Sequence, residues 1–335
     1  MQTPQTATPE QWQRFAYRAR TNSEIVALTF TLWLRNLATY LIIAVPVSLA
    51  VNLLVYPFQL ELQRALLTSA DPNVSTSALL VSLAVSAVQT ILIFGLTTRV
   101  ASEALHGRRI GIGEALNGIG SPLIAYAGAY LVAYLVAFGL GLVGGILSAF
   151  LIGIPIIGAA LYVGVVMTFF LAPVFVLENT PFADGMRRAW TLGKSRFWSN
   201  LGLTLMIALI VGLISLLIGT LAPVLVGNVS VTADNWESTY FSAVLLSTLF
   251  NAIFIPLTPI ALTLKYYDTR VRLEGIEVTL DILQRPNPRP GELPAPAPVG
   301  PWLDRADYTN VALLSLLFLL LTMFAFSMLM SGLGI

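Results

Sequence analysis

Hydrophobic and polar positions along this chain separate into long blocks. The longest block runs from Ala115 to Leu177 without an Asp, Glu, Lys, Arg or His. One membrane crossing takes about 20 apolar residues, so the block holds more than one. Arg108 and Arg109 precede it and Arg187 and Arg188 follow it, so both ends belong to one side and the number of crossings is even. Two are predicted, with a turn near Leu151 to Pro155. The first carries a ladder of small residues at every fourth position: Ala125, Ala129, Ala133, Ala137, Gly141 and Gly145. A second ladder follows Pro155, at Ala160, Gly164, Thr168 and Ala172. Residues four apart neighbour each other on a helix, and small side chains let membrane helices approach closely. The two crossings are therefore expected to form a central hairpin with Ala129, Ala133, Ala137, Gly141, Gly145 and Gly164 in its seam.

The same pattern divides the rest of the chain. Ser23 to Asn36 is amphipathic, with Ile25, Leu28 and Leu32 on one face, as suits a helix lying in the headgroup layer. Crossings are predicted at about Leu37–Tyr56 and Ser77–Thr97, joined by a loop over Phe58–Thr76. After the central hairpin, Thr180 and Pro181 suit the N-cap and first position of a helix. Phe182, Met186 and Trp190 then repeat at four-residue spacing among Arg187, Arg188, Lys194 and Arg196, which predicts a second interfacial helix. Crossings follow at about Asn200–Leu225 and Tyr240–Leu264, the latter containing Pro256 and Pro259, with a loop over Gly227–Thr239. A charged helix is predicted from Lys265 to about Leu283. The proline-rich stretch Pro286–Pro301 reads as an extended, solvated spacer, and its Pro298-Val299-Gly300-Pro301 as part of that spacer rather than a docking motif. The last crossing is about Thr309–Met330.

The expected class is an all-α polytopic transmembrane helix bundle of seven crossings, three hairpins plus one. Its divisions are a polar tail at 1–22, a six-crossing membrane domain at 23–283, a proline-rich linker at 284–307 and a C-terminal crossing at 308–335. A repeat is visible, because an interfacial stretch leads into a hairpin three times: Glu24–Arg35, Glu114–Pro122 and Asp184–Trp198. The repeats share one orientation, unlike inverted transporter repeats. The N-terminus has no apolar signal segment, so the first crossing is expected to serve as an uncleaved anchor.

Composition sharpens this picture. The chain is 56% hydrophobic and 10% charged, where soluble domains carry about 25% charged residues. A net charge of +1 gives no reason to expect a nucleic-acid partner. Cys is absent and His106 is the single histidine, so disulfides, thiolate or histidine metal sites and a Ser-His-Asp triad are not expected. All but Arg64 of the 18 Lys and Arg residues fall in the tail, at Arg35, or in the second, fourth and sixth connections. Basic residues mark the cytoplasmic side, which predicts the N-terminus inside and the C-terminus outside, in a plasma or inner membrane. Asn73-Val74-Ser75 and Asn228-Val229-Ser230 match glycosylation sequons on the predicted outer face and are read as chance matches.

Candidate chemistry is sparse. The predicted crossings hold no ionisable residue, which argues against proton relays and a charged midplane site. Asn52, Gln89 and Asn251 are their larger polar residues, expected to bond between helices. The Tyr126, Tyr130, Tyr134, Phe138 row is expected to pack against lipid and neighbouring helices. Gly111-Ile112-Gly113 is not a phosphate loop, because no strand precedes it. Glu103, Glu114 and Glu178 are expected at solvated interface positions. Asp268 and Arg272, and Arg270 and Glu274, are spaced four apart on nearly opposite faces of the charged helix. A solvated helix end accounts for them. Docking of one face near Glu103 or Arg187 is the sharper alternative, with Arg188 and Trp190 beside it.

Four stretches carry a family resemblance: Glu24-Ile25 through Leu32-Trp33-Leu34-Arg35-Asn36; Ala104-Leu105-His106-Gly107-Arg108-Arg109-Ile110; Met186-Arg187-Arg188-Ala189-Trp190-Thr191-Leu192 with Phe197-Trp198; and Tyr266-Tyr267-Asp268-Thr269-Arg270-Val271-Arg272-Leu273-Glu274-Gly275. In this order they resemble the membrane domain of some glycerophosphoryl diester phosphodiesterases, which has many stand-alone multi-pass relatives. Ala189 stands where that family usually has Ser. The resemblance implies a multi-pass bundle over residues 24 to 280. It implies no phosphodiesterase activity, because the residues after Leu280 are too few for the catalytic barrel. The function expected is a non-catalytic membrane module supporting envelope or lipid-associated machinery. Its partners would be membrane lipids, other membrane proteins or a second copy, with no cofactor. A transporter or channel for a neutral or lipophilic solute is the alternative, and an intramembrane enzyme stands behind it.

Overall fold

The computed structural model describes residues 15–68, 72–178, 180–225, 236–283, 288–296 and 301–332. The predicted outer loop at 227–235 with its sequon, the tail before Phe15 and most of the PxxP segment lie outside them, as do the side chains around Asn73. Among the described residues the architecture is all-α, and seven helical segments are long and apolar enough to cross a membrane. In order these residues form α1 (Asn22–Arg35), α2 (Leu37–Thr68), α3 (Pro72–Leu105), α4 (Ile112–Leu116), α5 (Gly120–Leu147), α6 (Gly153–Glu178) and α7 (Phe182–Ser195). After these come α8 (Phe197–Leu225), α9 (Trp236–Phe254), α10 (Leu257–Glu274), α11 (Ile276–Ile282) and α12 (Arg305–Gly332).

Local chemistry starts α1 where the sequence changes character. Thr21 and Glu24 form a capping box: the Glu24 N–H donates to Thr21 Oγ1 at 3.3 Å and the Thr21 N–H to Glu24 Oε2 at 2.8 Å. Two orphan donors are satisfied at once. The helix then buries Ile25, Leu28, Thr29, Leu32 and Trp33. The predicted loop over Phe58–Thr76 is largely helix instead, because α2 runs to Thr68 and α3 starts at Pro72. Its Leu, Gln, Glu, Arg and Ala residues are strong helix formers.

The three repeats take a common plan of interfacial helix, outer crossing and inner crossing. The inner crossings α3, α6 and α10 meet one another pairwise. In α6 every residue from Phe169 to Glu178 is buried, and in α10 every residue from Pro259 to Arg270. The sixth crossing is broken at Pro256, between α9 and α10. Trp33 Nε1 donates to the Ile253 carbonyl at 3.0 Å, so the break is sealed by α1. The last crossing, α12, lies against α6 at Gly158, where an added Cβ would meet the Val311 carbonyl at 2.9 Å and collide with Ser315.

The small-residue seam differs from the expectation in its lower half. Ala129 and Ala133 are buried, and a Cβ on Gly164 would stand 3.5 Å from Ala137. At Gly141 and Gly145 an added Cβ would meet nothing within 4 Å. The close approach moves to Gly144, where a Cβ would stand 2.9 Å from the Ile157 nitrogen and 3.1 Å from the Gly153 carbonyl. The cause is helical pitch: each four-residue step rotates about 40° further than a full turn. A ladder that faces α6 at Ala129 has turned away by Gly145.

Candidate functional site

The side chains that carry charge gather at the basic end of the bundle, where α3, α6 and α10 finish. Each inner crossing ends on an acid that meets an arginine. On α3, Glu103 pairs with Arg108. On α6, the terminal Glu178 accepts from Arg188 Nε and from the Tyr266 hydroxyl, and Arg270 Nη1 lies 3.2 Å from it. On α10, Glu274 takes Arg188 through two guanidinium nitrogens at 2.9 and 3.0 Å and Arg270 Nε at 2.7 Å. Arg188, Arg270, Glu178 and Glu274 thus form one neutral, mostly buried quartet. Such planar, multiply bonded pairs are the strong ones.

A second group surrounds Asp268, which is fully buried. It accepts from the Arg20 backbone N–H at 2.8 Å, Arg272 Nε at 2.7 Å, Lys265 Nζ at 3.1 Å and Arg196 Nη1 at 3.2 Å. Lys265 also reaches Asn22 Oδ1 and Ser199 Oγ at 3.0 and 2.9 Å. One carboxylate therefore ties the end of the tail, α1, α8 and α10 together. Arg20 is itself buried, and desolvation lowers its pKa to about 10.

Several expectations change here. Asp268, Arg270 and Glu274 are not a solvated helix end. α10 continues into the bundle, and Tyr266 and Tyr267 are buried rather than set in an aromatic belt. Arg272 is exposed at the edge, as a solvated helix end would have it. The docking partner of α10 is Arg188, on the face of α7 next to that of Arg187. Glu178 and Glu103 are buried too, because arginines neutralise them. Glu114 is exposed as expected. Thr180 does not cap α7: Pro181 takes the N-cap position and Thr180 Oγ1 is buried without a partner among the described residues. Trp190 is buried and donates to the Trp302 carbonyl.

Where it is described, the proline-rich linker is not a free solvated spacer either. Its described part, Pro288–Pro296, and the following Pro301–Asp307 form a strap across the basic end. Arg108 donates to the Pro288 carbonyl at 3.2 Å, Arg270 to Pro294 at 2.6 Å and Arg188 to Pro296 at 3.1 Å. The Gly291 N–H donates to the Leu177 carbonyl at 2.7 Å, and Leu293 is buried. Lys194 holds the far end through Asp304 and Asp307 at 2.9 and 3.1 Å. Burial opposes the charge on Lys194, but these two carboxylates outweigh it and hold its pKa above the ordinary lysine value. Proline carbonyls are free acceptors with no paired N–H, so guanidiniums with unused donors fix the strap.

His106 closes the third corner. Its Nδ1 lies 2.7 Å from the Ser102 carbonyl and its Nε2 2.8 Å from the Tyr17 hydroxyl. A carbonyl only accepts, so Nδ1 carries the proton and Tyr17 donates to Nε2. Burial lowers the His106 pKa to about 4, below the ordinary value near 6.5. Above pH 6.5 the ring is neutral folded and unfolded. Below it the unfolded chain takes up a proton that the folded protein refuses, so stability falls as pH drops toward 4. The expected loss is about 2 kcal/mol at pH 5. Thermal melts of the wild type and His106→Gln in detergent at pH 7.5 and pH 5 test it, with the wild type losing more. Equal losses would dismiss a neutral buried His106.

Further from this end, Gln89 Nε2 donates to Ser48 Oγ at 3.1 Å, joining α3 to α2. Ser215 Oγ donates to Asn251 Oδ1 at 3.1 Å, joining α8 to α9. Asn52 donates to the Ser48 carbonyl within α2 at 2.9 Å. Between α5 and α6 an apolar groove of 430 Å³ is lined by Ala137, Gly141, Ile157, Leu161, Gly164 and Val165, among others. In the tyrosine row, Tyr130, Tyr134 and Phe138 stack successively, with Tyr126 edge-on at its start.

Compared with protein-family models, with curated proteins and with solved structures, the chain gives no match. The site thus rests on its own geometry: charged groups that neutralise one another and tie three repeats into one body.

Proposed function

We propose that the protein is a non-catalytic, multi-pass membrane module that supports envelope or lipid-associated machinery from a plasma or inner membrane. The basic end faces the cytoplasm in this reading and the C-terminus lies outside. The observation that carries it is the use made of the charges. Glu178, Glu274 and Asp268 are each engaged by two or three cations, at least one of them from outside the acid's own helix, which is a structural use and not a reactive one. The polar residues within the crossings bond between or within helices, and the groove between α5 and α6 is an apolar seam suited to lipid tails. The proline break in the sixth crossing, which a transporter would use as a hinge, is tied shut by Trp33. The family resemblance of the four stretches agrees with a membrane module and adds no activity.

Two measurements test this reading. The native chain has no Cys, so single Cys probes report cleanly. Cys at Asn73 or Asn235 is expected to label from outside, and Cys at Gly275 only after permeabilisation; outside labelling at Gly275 would reverse the orientation. Proteoliposomes are expected to pass glycerol and other small neutral solutes no faster than empty liposomes. Flux above that background, abolished by Gln89→Leu, would replace the module with a transporter.

A further inference from the structure

A cleft of 450 Å³ opens at the basic end between α3, the turn after it, α4 and the strap. Four guanidiniums line it, from Arg99, Arg108, Arg109 and Arg289, against the carboxylates of Glu103, Glu114 and Glu292. Two of these acids are already engaged: Glu103 by Arg108, and Glu292 by the Arg289 backbone N–H at 2.9 Å. Glu114 remains, exposed on the wall beside the amide of Asn117. Arg99 is the unusual member. It stands on α3 inside an apolar span, Leu80–Leu105, and its Nε is buried with no hydrogen-bond partner among the described residues. A buried guanidinium nitrogen left without an acceptor is costly, and an arginine inside a membrane helix is held there by a partner or a function. Arg109 and Arg289 are exposed at the mouth of the same cleft.

We propose that this cleft binds the phosphate of an anionic phospholipid. Guanidiniums match phosphate oxygens in charge and fork geometry. Arg99 sets the depth, because its stem lies along an apolar helix while its head reaches the membrane surface. A lipid arrives at that level with its tails in the bilayer and its phosphate at the cleft, whereas a free phosphate has no such address. The inference deepens the membrane-module reading and rests on it for the source of the phosphate.

The test uses the purified full-length chain in neutral detergent, with melting temperature followed during titration. The probes are short-chain phosphatidylglycerol, phosphatidylcholine of equal chain length, and inorganic phosphate. Phosphatidylglycerol is expected to raise the melting temperature saturably and phosphatidylcholine is not. Each guanidinium lost should weaken the midpoint about tenfold, in Arg99→Gln and in the rim pair Arg109→Gln with Arg289→Gln. Glu114→Gln should tighten it. The rim residues are exposed, so that pair decides the matter even where Arg99→Gln fails to fold. Equal stabilisation by phosphatidylcholine, or a rim pair that titrates like the wild type, overturns the site. A saturable rise with inorganic phosphate alone, lost in the rim pair, overturns the lipid source. None of these outcomes alters the Cys-labelling or flux results, so the two readings fail separately.

Discussion

Arg270→Met is expected to destabilise the bundle by about 3–5 kcal/mol, the cost of removing one member of a buried ion-pair network. Arg270 is 1% exposed. Its guanidinium contacts Glu274, Glu178, the Tyr266 hydroxyl and the Pro294 carbonyl. Met fills most of the volume, so the loss is electrostatic rather than a cavity. Two carboxylates are then left with Arg188 alone, and the strap loses a central tie. Adding Glu178→Gln should recover part of the loss by removing the stranded charge. The pair therefore couples, and the cycle isolates the interaction. Unfolding of the four proteins in a detergent titration gives the numbers. A loss under about 1 kcal/mol for Arg270→Met alone would place the quartet with surface ion pairs.

The second large effect is expected at Gly144. Leu there must displace the Ile157 side chain and press on the backbone of Ile157 and Gly153. Overpacking against backbone, which cannot change rotamer, should cost about 3 kcal/mol or somewhat more. Gly141→Leu is the control: the same residue type in the same helix, with open space around it. Its melting temperature should stay within a few degrees of the wild type. Equal losses for the two variants would refute the seam as described.

This contrast shows what was legible in the residues. Blocks of apolar sequence announced seven crossings, because length and the absence of charge suffice to make a membrane helix. The upper seam, at Ala129 and Ala133, followed from spacing. The lower seam did not, since a strict four-residue ladder drifts around a helix of 3.6 residues per turn. The paired charges of α10 were visible as pairs and docking near Arg187 as an alternative, but spacing alone did not decide for burial. Burial depends on Arg188 of α7 arriving from a distant part of the chain. Scattered among basic residues in the sequence, Glu178 and Glu103 carry no sign of which arginine buries each of them. Comparing repeats would have shown that each inner crossing ends on an acid, with an arginine within ten residues after it on α3 and α6 and four residues before it on α10. The strap was the hardest to foresee. Its composition keeps it out of helix, and residues 288–296 are not helical, but composition says nothing of which groups donate to its carbonyls.

That strap has a consequence for how the molecule is made. Residues 288–296 and 301–307 lie after every helix that they tie except α12, so they leave the ribosome last among the parts of the basic end. Until then Arg108, Arg188, Arg270 and Lys194 lack acceptors that the finished protein gives them. Three hairpins can enter the membrane one after another with their charges only partly matched. The clasp is fastened by the final segment, so maturation of this end waits for synthesis of the linker.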